Sequence, residues 1–333
     1  MSHQRDREDL GIVFLGCGRI TRVHSATLAA VAPGVPRYYA SRDPRRARAY
    51  DARFNGAGWF GSYEAAFQDV RPMIAIIATP PALHFEWSFA ALAAGLHIIV
   101  EKPAFLRSTD CELVRDAARA ARRRVLIAEN YHYKPLAFHL RRIIAEQTLG
   151  EVRVVHINAL RSQPPVAWRG DPDLAGGGAL FEGGIHWISL MADLGLPIRR
   201  VHGVRAGAPD SDLTWLVTFE YASGAVGQLG YSWEIPSPLK GLRLSAVYGT
   251  HGTATFETNG LFLLERGRRR RLLLPNLEDI RGYRSMFRDF LDALRNDRDP
   301  EYTLEHAWRD LALVEEIQQT HGSPWVATAE MNG

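Results

Sequence analysis

Residues 10–21 read LGIVFLGCGRIT, and this stretch carries the strongest local indication of the fold. Leu10–Leu15 is an apolar run of strand length, a glycine turn from Gly16 to Thr21 follows it directly, and a helical pattern continues over Val23–Val31. Glycines between a strand and a helix permit a tight turn in which backbone amides approach a pyrophosphate. A tight turn that binds nothing is the alternative. The predicted cofactor contacts in this turn are Gly16, Cys17, Gly18, Arg19 and Ile20.

The chain up to residue 129 alternates short apolar runs with helical patterns. This alternation is typical of βαβ units and predicts a parallel sheet. Further strands are predicted at 36–40, 73–78, 97–100 and 124–128, and helices at 44–54, 84–94 and 109–123. We therefore expect residues 1–129 to form a dinucleotide-binding Rossmann domain of the α/β class.

The pattern changes after Glu129, where longer alternating stretches follow one another with turns between them. Such a succession favours a large, mostly antiparallel, open-faced sheet. The strands are predicted at 152–160, 213–221, 225–232, 242–248, 253–257 and 261–265, and helices at 136–147, 283–294 and 304–319. Residues 130–333 are thus expected to form an α+β domain for substrate binding and oligomerisation.

The composition of the chain bears mainly on which kinds of partner to expect. The net charge of the 333 residues is only +3, and basic runs such as Arg122–Arg124 carry no interleaved aromatics, so we expect no nucleic-acid partner. Met1–Asp9 is polar and no apolar run is long enough to span a bilayer, so neither a signal peptide nor a membrane partner is expected. Two cysteines without metal-site spacing indicate a reducing cytoplasm, and no metal is needed.

The end of the second predicted strand, Ala40-Ser41-Arg42-Asp43, bears on the choice of dinucleotide. NAD sites usually place an acid here to bind the ribose 2′-hydroxyl. Ser41 stands in that position with Arg42 beside it, and a guanidinium suits a 2′-phosphate. NADP(H) is therefore favoured modestly over NAD(H). Alternatively, Arg42 is a solvated loop residue, and Asp43 binds the ribose 2′-hydroxyl from one position later.

Several fragments, in this order and spacing, resemble the glucose–fructose oxidoreductase / inositol dehydrogenase / rhizopine-catabolism (Gfo/Idh/MocA) family over nearly the whole chain. These are Gly16–Thr21 with His24, Ala78-Thr79-Pro80-Pro81…His84, Glu101-Lys102-Pro103, Glu129-Asn130-Tyr131, Trp168-Arg169, Gly176–Leu180, His186, and the helix containing Tyr283 and Phe287. The resemblance implies a nicotinamide pocket near Thr79, Pro80, His84, Glu101 and Asn130. Ala78 is a further predicted cofactor contact, and Trp168 and Arg169 could contact cofactor or substrate. A surface position for Trp168 and Arg169 is equally compatible.

The resemblance also implies that Lys102 and His186 are the catalytic lysine and histidine. Alcohol oxidation releases a proton that histidine is suited to accept, and an ammonium group stabilises charge on the reacting oxygen. Glu182 stands four residues before His186, where the family commonly has Asp, and Ser189 replaces a further Asp. On one helix Glu182 would share a face with His186 and could orient the imidazole, or could point at a substrate hydroxyl. Without the resemblance, each residue has a purely structural explanation. Lys102 could be an exposed loop lysine, His186 a hydrogen-bonded histidine in the core, and Glu182 a carboxylate that stabilises the dipole at a helix N-terminus.

The leading hypothesis is a dinucleotide-dependent oxidoreductase acting on a small polyhydroxylated substrate: a sugar, a cyclitol or a related keto compound. One alternative is redox-neutral glycoside cleavage with tightly held NAD. Another is a non-catalytic, dinucleotide-binding regulator. Because the second sheet would expose one face, we also expect a homodimer or homotetramer.

Overall fold

A computed structural model describes residues 10–69, 72–163, 166–208, 211–237, 241–268 and 270–321; Met1–Asp9, the stretch expected not to be a signal peptide, lies outside them. The strands are β1 (Gly11–Leu15), β2 (Arg37–Ala40), β3 (Gly58–Phe60), β4 (Pro72–Ile77), β5 (His97–Glu101), β6 (Val125–Ala128), β7 (Val152–Leu160), β8 (Ile198–Ala206), β9 (Thr214–Tyr221), β10 (Val226–Ser232), β11 (Leu244–Gly249), β12 (Gly252–Glu257), β13 (Leu263–Arg266) and β14 (Arg270–Leu273). The helices are α1 (Arg19–Val31), α2 (Pro44–Phe54), α3 (Tyr63–Phe67), α4 (His84–Ala93), α5 (Ser108–Ala121), α6 (Pro135–Ala145), α7 (Pro172–Ala175), α8 (Ile185–Ala192), α9 (Tyr283–Arg295) and α10 (Leu304–Thr320). Within the described residues, no helix is both long and apolar enough to cross a membrane.

The first sheet has the order β3-β2-β1-β4-β5-β6, and its described strand pairs are parallel. The predicted Rossmann fold is confirmed. The strand order reverses direction between β1 and β4, because the chain moves outward through β2 and β3 and then returns to the other side of β1. In open α/β sheets, ligands bind at such a reversal, beyond the carboxyl ends of the strands. The residues that follow β1 and β4 therefore face a shared crevice.

The second sheet has eight strands in the order β14-β13-β12-β11-β7-β10-β9-β8. Among its described pairs, β7 and β10 are parallel and the others are antiparallel, which confirms a mostly antiparallel sheet. The last two helices return to the first half of the chain: α9 packs on α1, and α10 packs on α5 as well as on α8 and β8. The carboxyl-terminal helices thus hold the two sheets in one arrangement.

The two faces of the second sheet differ in burial. Along β9, Val217 and Phe219 are buried on the inner face, whereas Leu216 on the outer face is 45% exposed. The register places Val204 opposite Leu216 on the same outer face, where it is 50% exposed. A strand presents alternate residues to opposite faces, so this alternation reports one covered and one open face.

The three strands that the sequence pattern did not reveal are β3, β8 and β14, and each is an edge of its sheet. Edge strands are half-solvated and carry charged residues, as in the IRRVHGVRA of β8, so their hydrophobic alternation is weak. The helix predicted from Val23 begins at Arg19, because the glycine turn leads directly into it. The domain boundary between residues 129 and 130 stays a prediction.

Candidate active site

The glycine turn after β1 lies against the end of β4. Gly16 has a φ of +110°, and a Cβ there would lie 2.7 Å from the carbonyl oxygen of Ala78, so only glycine fits. Thr21, at the position usually held by Gly or Ala, is buried and donates its hydroxyl hydrogen to the Gly16 carbonyl over 2.7 Å. At Gly18, by contrast, a Cβ would meet no heavy atom of the described residues within 4 Å. The turn is therefore tightly packed at Gly16 and open at Gly18.

The amino terminus of α1 opens into the same space. Gly18 is its N-cap, and among the described residues no side chain caps the first turn, which also contains no acidic residue. The first amide groups of a helix have no partner inside the helix, and the helix dipole favours an anion there. Open space above Gly18 together with free amides fits the pyrophosphate of a dinucleotide.

A cavity of about 560 Å³ joins this turn to the second sheet. Most of the predicted site residues line it: Gly18, Arg19, Ile20, Ala78, Thr79, His84, Glu101, Lys102, Asn130, Trp168, Arg169, Glu182 and His186. The lining does not include the predicted residues Gly16, Cys17, Ser41, Arg42 and Pro80, nor Ser189, which is buried in α8.

Lys102 follows β5 and reaches across the cavity to the second domain. Its Nζ atom donates to the backbone oxygen of Glu182 over 2.6 Å and lies 3.4 Å from the Glu182 Oε1 atom. The preceding residue, Glu101, is buried and bonds the Nε2 atom of His24. Burial alone would raise the pKa of Glu101, but the charges of His24 and Lys102 outweigh it and hold that pKa below its usual value. The Lys102 ammonium is therefore anchored, with donor capacity left for a ligand.

Glu182 joins two cations. Its Oε1 atom accepts from Nε of Arg169 at 3.0 Å and from Nη2 of the same residue at 2.8 Å, beside Lys102. Burial would raise the pKa of Glu182, but Lys102 and Arg169 lower it to about 2. The carboxylate stays ionised and holds both cations at the cavity wall.

His186 is oriented by Glu129, which follows β6. The His186 Nδ1 atom lies 2.7 Å and 2.9 Å from the two carboxylate oxygens of Glu129, and its ring stacks on Tyr131 with centroids 4.2 Å apart. Burial lowers the pKa of His186, although Glu129 opposes this effect. The Nε2 atom is left as the nitrogen available to a ligand.

Two roles for Glu182 were predicted from the sequence: orienting His186 or pointing at a substrate hydroxyl. The first is wrong, because the Glu182 carboxylate binds Arg169 and Lys102 and not His186. The physical reason lies in the backbone. Residues Leu180–Gly184 form a π-helical turn before α8 begins. A π turn is wider than an α turn, so residues four apart no longer share one face.

Other predicted residues that line the cavity are bound to neighbouring protein groups. The ring nitrogens of His84 lie 2.9 Å from the carbonyl oxygens of Thr79 and Pro103, so this side chain ties the end of β4 to the loop after β5. Asn130 donates its amide to the Arg281 carbonyl over 2.7 Å. The guanidinium of Arg169 lies 4.4 Å above the ring of Trp168.

Two protein-family models match this chain. The family model described as "Oxidoreductase family, NAD-binding Rossmann fold" matches residues 10–129, and "GFO/IDH/MocA C-terminal domain" matches residues 138–255. Together they cover more than half of the chain. This chain belongs to the Gfo/Idh/MocA oxidoreductase family.

Named members of the Gfo/Idh/MocA family align with part of the chain. Levoglucosan dehydrogenase of Pseudarthrobacter phenanthrenivorans is 27% identical over 67% of this chain and 59% of its own length. D-xylose 1-dehydrogenase (NADP(+)) 2 of Haloferax volcanii is 32% identical over 59% of this chain and 61% of its own length. The chain thus spans about three fifths of these relatives. The crystal structure of GenD2 from gentamicin A biosynthesis, in complex with NAD, has a TM-score of 0.81 at 27% identity and covers 94% of each chain.

The end of β2 in this Gfo/Idh/MocA chain carries a hydroxyl where an acid is usual in NAD sites. Ser41 is buried and its Oγ atom accepts from the Asp43 amide over 3.1 Å, whereas Arg42 is exposed. Asp43 caps α2 and pairs with Arg45, so its carboxylate is already in use. Cys17, nearby, has its thiol pKa raised to about 12 by burial, so it remains a neutral thiol.

Five residues that the structure places at the site had no site role predicted from the sequence. Tyr131, Lys134, Arg161 and Arg243 line the cavity, and Glu129 bonds His186, which lines it. A signal existed for Glu129. It directly follows β6, and β6 ends at the same edge of the parallel sheet as β4 and β5, where ligands bind. No comparable local signal marks Arg161 and Arg243, which flank separate strands of the second sheet.

Proposed function

We propose that this member of the Gfo/Idh/MocA family is an NAD(P)-dependent oxidoreductase that transfers a hydride between nicotinamide and a sugar, cyclitol or related keto compound. One observation supports it above all: Lys102 and His186 line one cavity with the open turn at Gly18, and each is held by its own carboxylate. The similarity to named sugar dehydrogenases agrees with this proposal. When bound, the dinucleotide supplies the hydride acceptor or donor, which no side chain can provide.

His186 serves as the acid–base group. The ionised carboxylate of Glu129 can only accept, so the hydrogen of the neutral imidazole sits on Nδ1. The Nε2 atom then carries a lone pair and can accept a proton from a substrate hydroxyl. Burial, which lowers the pKa of His186, keeps the imidazole neutral at neutral pH and ready to act as the base.

Lys102 stabilises charge on the same oxygen. Its ammonium has three hydrogens, of which two face the backbone oxygen and the carboxylate of Glu182. The third is available to the oxygen that becomes negative when the hydroxyl loses its proton. Removal of such a donor in a water-poor site typically costs about 100- to 1000-fold in rate.

The variants Lys102→Met and His186→Asn test this assignment, with His156→Asn on the second sheet as the matched histidine control. We expect kcat for nicotinamide reduction across a panel of sugars and cyclitols to fall about 100-fold or more in both variants. Dinucleotide affinity, measured by fluorescence titration, should stay near that of the unmodified protein. Full turnover in both variants would refute the catalytic roles. Release of an aglycone without net nicotinamide reduction would instead identify redox-neutral glycoside cleavage.

NADP(H) is the dinucleotide that the end of β2 favours. Arg42, directly after Ser41, has an exposed side chain that also interacts with the hydroxyl of Tyr63. The Asp43 carboxylate is occupied by the α2 cap and Arg45. A planar guanidinium binds a 2′-phosphate through paired hydrogen bonds, which a ribose hydroxyl cannot match.

A second copy of the chain is the expected partner of the open sheet face. Its outer positions carry Val154, Val204, Leu216, Val226, Leu244 and Tyr248, each 41–50% exposed. The register puts Glu220 beside Arg200 on this face, so a twofold-related copy could pair apolar rows and opposite charges together. The solution mass tests this: a dimer or tetramer is expected, and Leu216→Arg should dissociate it, whereas Leu113→Arg on α5 should not. A monomeric mass for the unmodified protein would exclude it.

A further inference from the structure

Three cations gather at the end of the cavity that belongs to the second sheet. Lys134 precedes α6, Arg161 follows β7, and Arg243 precedes β11. Strands β7 and β11 are antiparallel neighbours, so the end of one lies beside the start of the other. None of the three takes part in the Lys102, Glu182 and Arg169 cluster. The substrate end of the cavity is therefore positively charged independently of the catalytic lysine.

Two of these cations are buried without an ion-pair partner. Lys134 and Arg243 are each only 5% exposed. No salt bridge to either is formed by the described residues, and the Nε atom of Arg243 has no hydrogen-bond partner there. The Lys134 ammonium lies 4.2 Å from the ring centre of Tyr131, and burial lowers its pKa to about 8. Buried cations are costly unless paired, so this arrangement favours an anion in the cavity.

The nearby carboxylates are committed elsewhere. Glu257 is fully buried, and its oxygens accept from the Asn259 amide at 3.0 Å, from the Asn259 side chain at 3.1 Å and from the Leu261 amide at 3.3 Å. Glu129 bonds His186. Both charges raise the pKa of Lys134, and Glu257 raises that of Arg243, against the effect of burial. The Nη2 atom of Arg243 donates to the side-chain oxygen of Asn259 over 3.1 Å, whereas its Nε atom has no partner among the described residues.

The Lys134 ammonium and the acid–base group have a neighbour in common, the aromatic ring of Tyr131. Tyr131 links the two, since its ring contacts Lys134 and stacks on His186 with centroids 4.2 Å apart. His186 and Lys134 both line the cavity and both contact this ring, so one small ligand can reach them together. Arg161 also lines the cavity, and its side chain is exposed. A sugar that presents one carbon to His186 would present its far substituent to these cations.

We infer that the substrate is an anionic sugar, whose carboxylate or phosphate oxygens are bound by Lys134, Arg243 and Arg161. This inference rests on the proposed function, because it assigns the part of the substrate that Lys102 and His186 do not touch. Guanidinium groups bind carboxylate and phosphate oxygens alike through charge-assisted hydrogen bonds. Neutral sugars would leave the buried cations unpaired and would be discriminated against.

Calorimetric binding to the dinucleotide-loaded full-length protein tests the inference without requiring turnover. The probes are D-glucose, D-glucuronate and D-glucose 6-phosphate, which differ only in the substituent at one end of the ring. We expect at least one anionic probe to bind 10-fold or more tightly than D-glucose, and the better of the two to show whether carboxylate or phosphate is preferred. Arg243→Gln and Arg161→Gln should each weaken that binding by about 10- to 100-fold and reduce the preference over D-glucose.

Arg153→Gln is the control, because Arg153 is an exposed arginine on β7 that pairs with Glu151. It should leave the preference for the anionic probe unchanged. Arg161 is exposed, so its variant reports on binding even if loss of the buried Arg243 perturbs folding. Equal or tighter binding of D-glucose, no binding of either anion, or an unchanged preference in both variants would overturn the inference. Failure of the proposed function can be distinguished from failure of this inference. In that case the protein would bind no dinucleotide, or would transfer no hydride with any sugar.

Discussion

The Nδ1 atom of His186 lies 2.7 Å from the Oε1 atom of Glu129, a residue 57 positions earlier in the chain. Glu129 follows β6 of the Rossmann sheet, and His186 lies in α8 of the second half. The pair therefore bridges the two halves at the cavity between them. It determines which imidazole nitrogen carries the hydrogen, and so which nitrogen is left available to a ligand in the cavity.

Glu129→Gln should lower kcat about 100-fold or more. The amide nitrogen of glutamine would donate to Nδ1 and leave the hydrogen on Nε2, where it cannot accept a proton from substrate. Dinucleotide affinity should hardly change, because Glu129 does not contact the glycine turn. Steady-state kinetics and a fluorescence titration measure the two effects. The exposed Glu151→Gln variant is the control, and a kcat for Glu129→Gln within threefold of the unmodified value would contradict the role.

Glu182→Gln should reduce stability in a pH-dependent manner. Lys102 and Arg169 depress the pKa of Glu182 from an ordinary 4.5 to about 2 in the folded protein. A depressed pKa stabilises the fold fully above the unfolded value, so the benefit is present above pH 4.5 and is lost as the pH falls toward 2. The difference in free energy of unfolding between the two proteins should be about 3 kcal/mol at neutral pH. Denaturant titrations across this range measure it, and a difference independent of pH would count against the assignment.

Substitutions at Gly16 and Gly18 should separate folding from dinucleotide binding. Gly16→Ala places a Cβ 2.7 Å from the Ala78 oxygen at a φ of +110°, so we expect a loss of about 2 kcal/mol or more in stability. Gly18→Ala meets no described atom within 4 Å and should fold normally, yet its methyl group would occupy the space above the α1 amides. Its Kd for NADPH should rise at least 10-fold. Normal NADPH affinity in stable Gly18→Ala protein would place the pyrophosphate elsewhere.

Arg42→Ala should distinguish the two dinucleotides. If the guanidinium binds the 2′-phosphate, the Kd for NADPH should rise about 10-fold or more and that for NADH should stay within twofold. Arg48→Ala, an exposed arginine on α2, is the matched control. Equilibrium titrations with both dinucleotides provide the values. Tighter binding of NADH than of NADPH to the unmodified protein would reverse the proposed preference.

Much of the candidate site could be predicted because strand ends in a parallel sheet converge. Thr79 follows β4, Glu101 ends β5 and Lys102 follows it, and the topology brings all three to the crevice that the glycine turn opens. The partners of these residues could not be predicted in the same way. Lys102 and Glu182 are 80 residues apart, and their contact depends on how the two sheets pack. Local spacing suggested a Glu182–His186 pair instead, and a π turn removed the alignment that this spacing assumes.

Hydrophobic periodicity and glycine positions act over a few residues, so the amino-acid sequence was enough to predict a Rossmann domain, the glycine turn and the buried strands. Three features depended on tertiary packing: the carboxylate that orients His186, the set of cations at the far end of the cavity, and the return of the last two described helices to the first sheet. Those choices depend on contacts between residues far apart in the chain, such as Glu129 with His186 and α9 with α1. Charge pairing is set by distance and burial after packing, and neither quantity is encoded in local spacing.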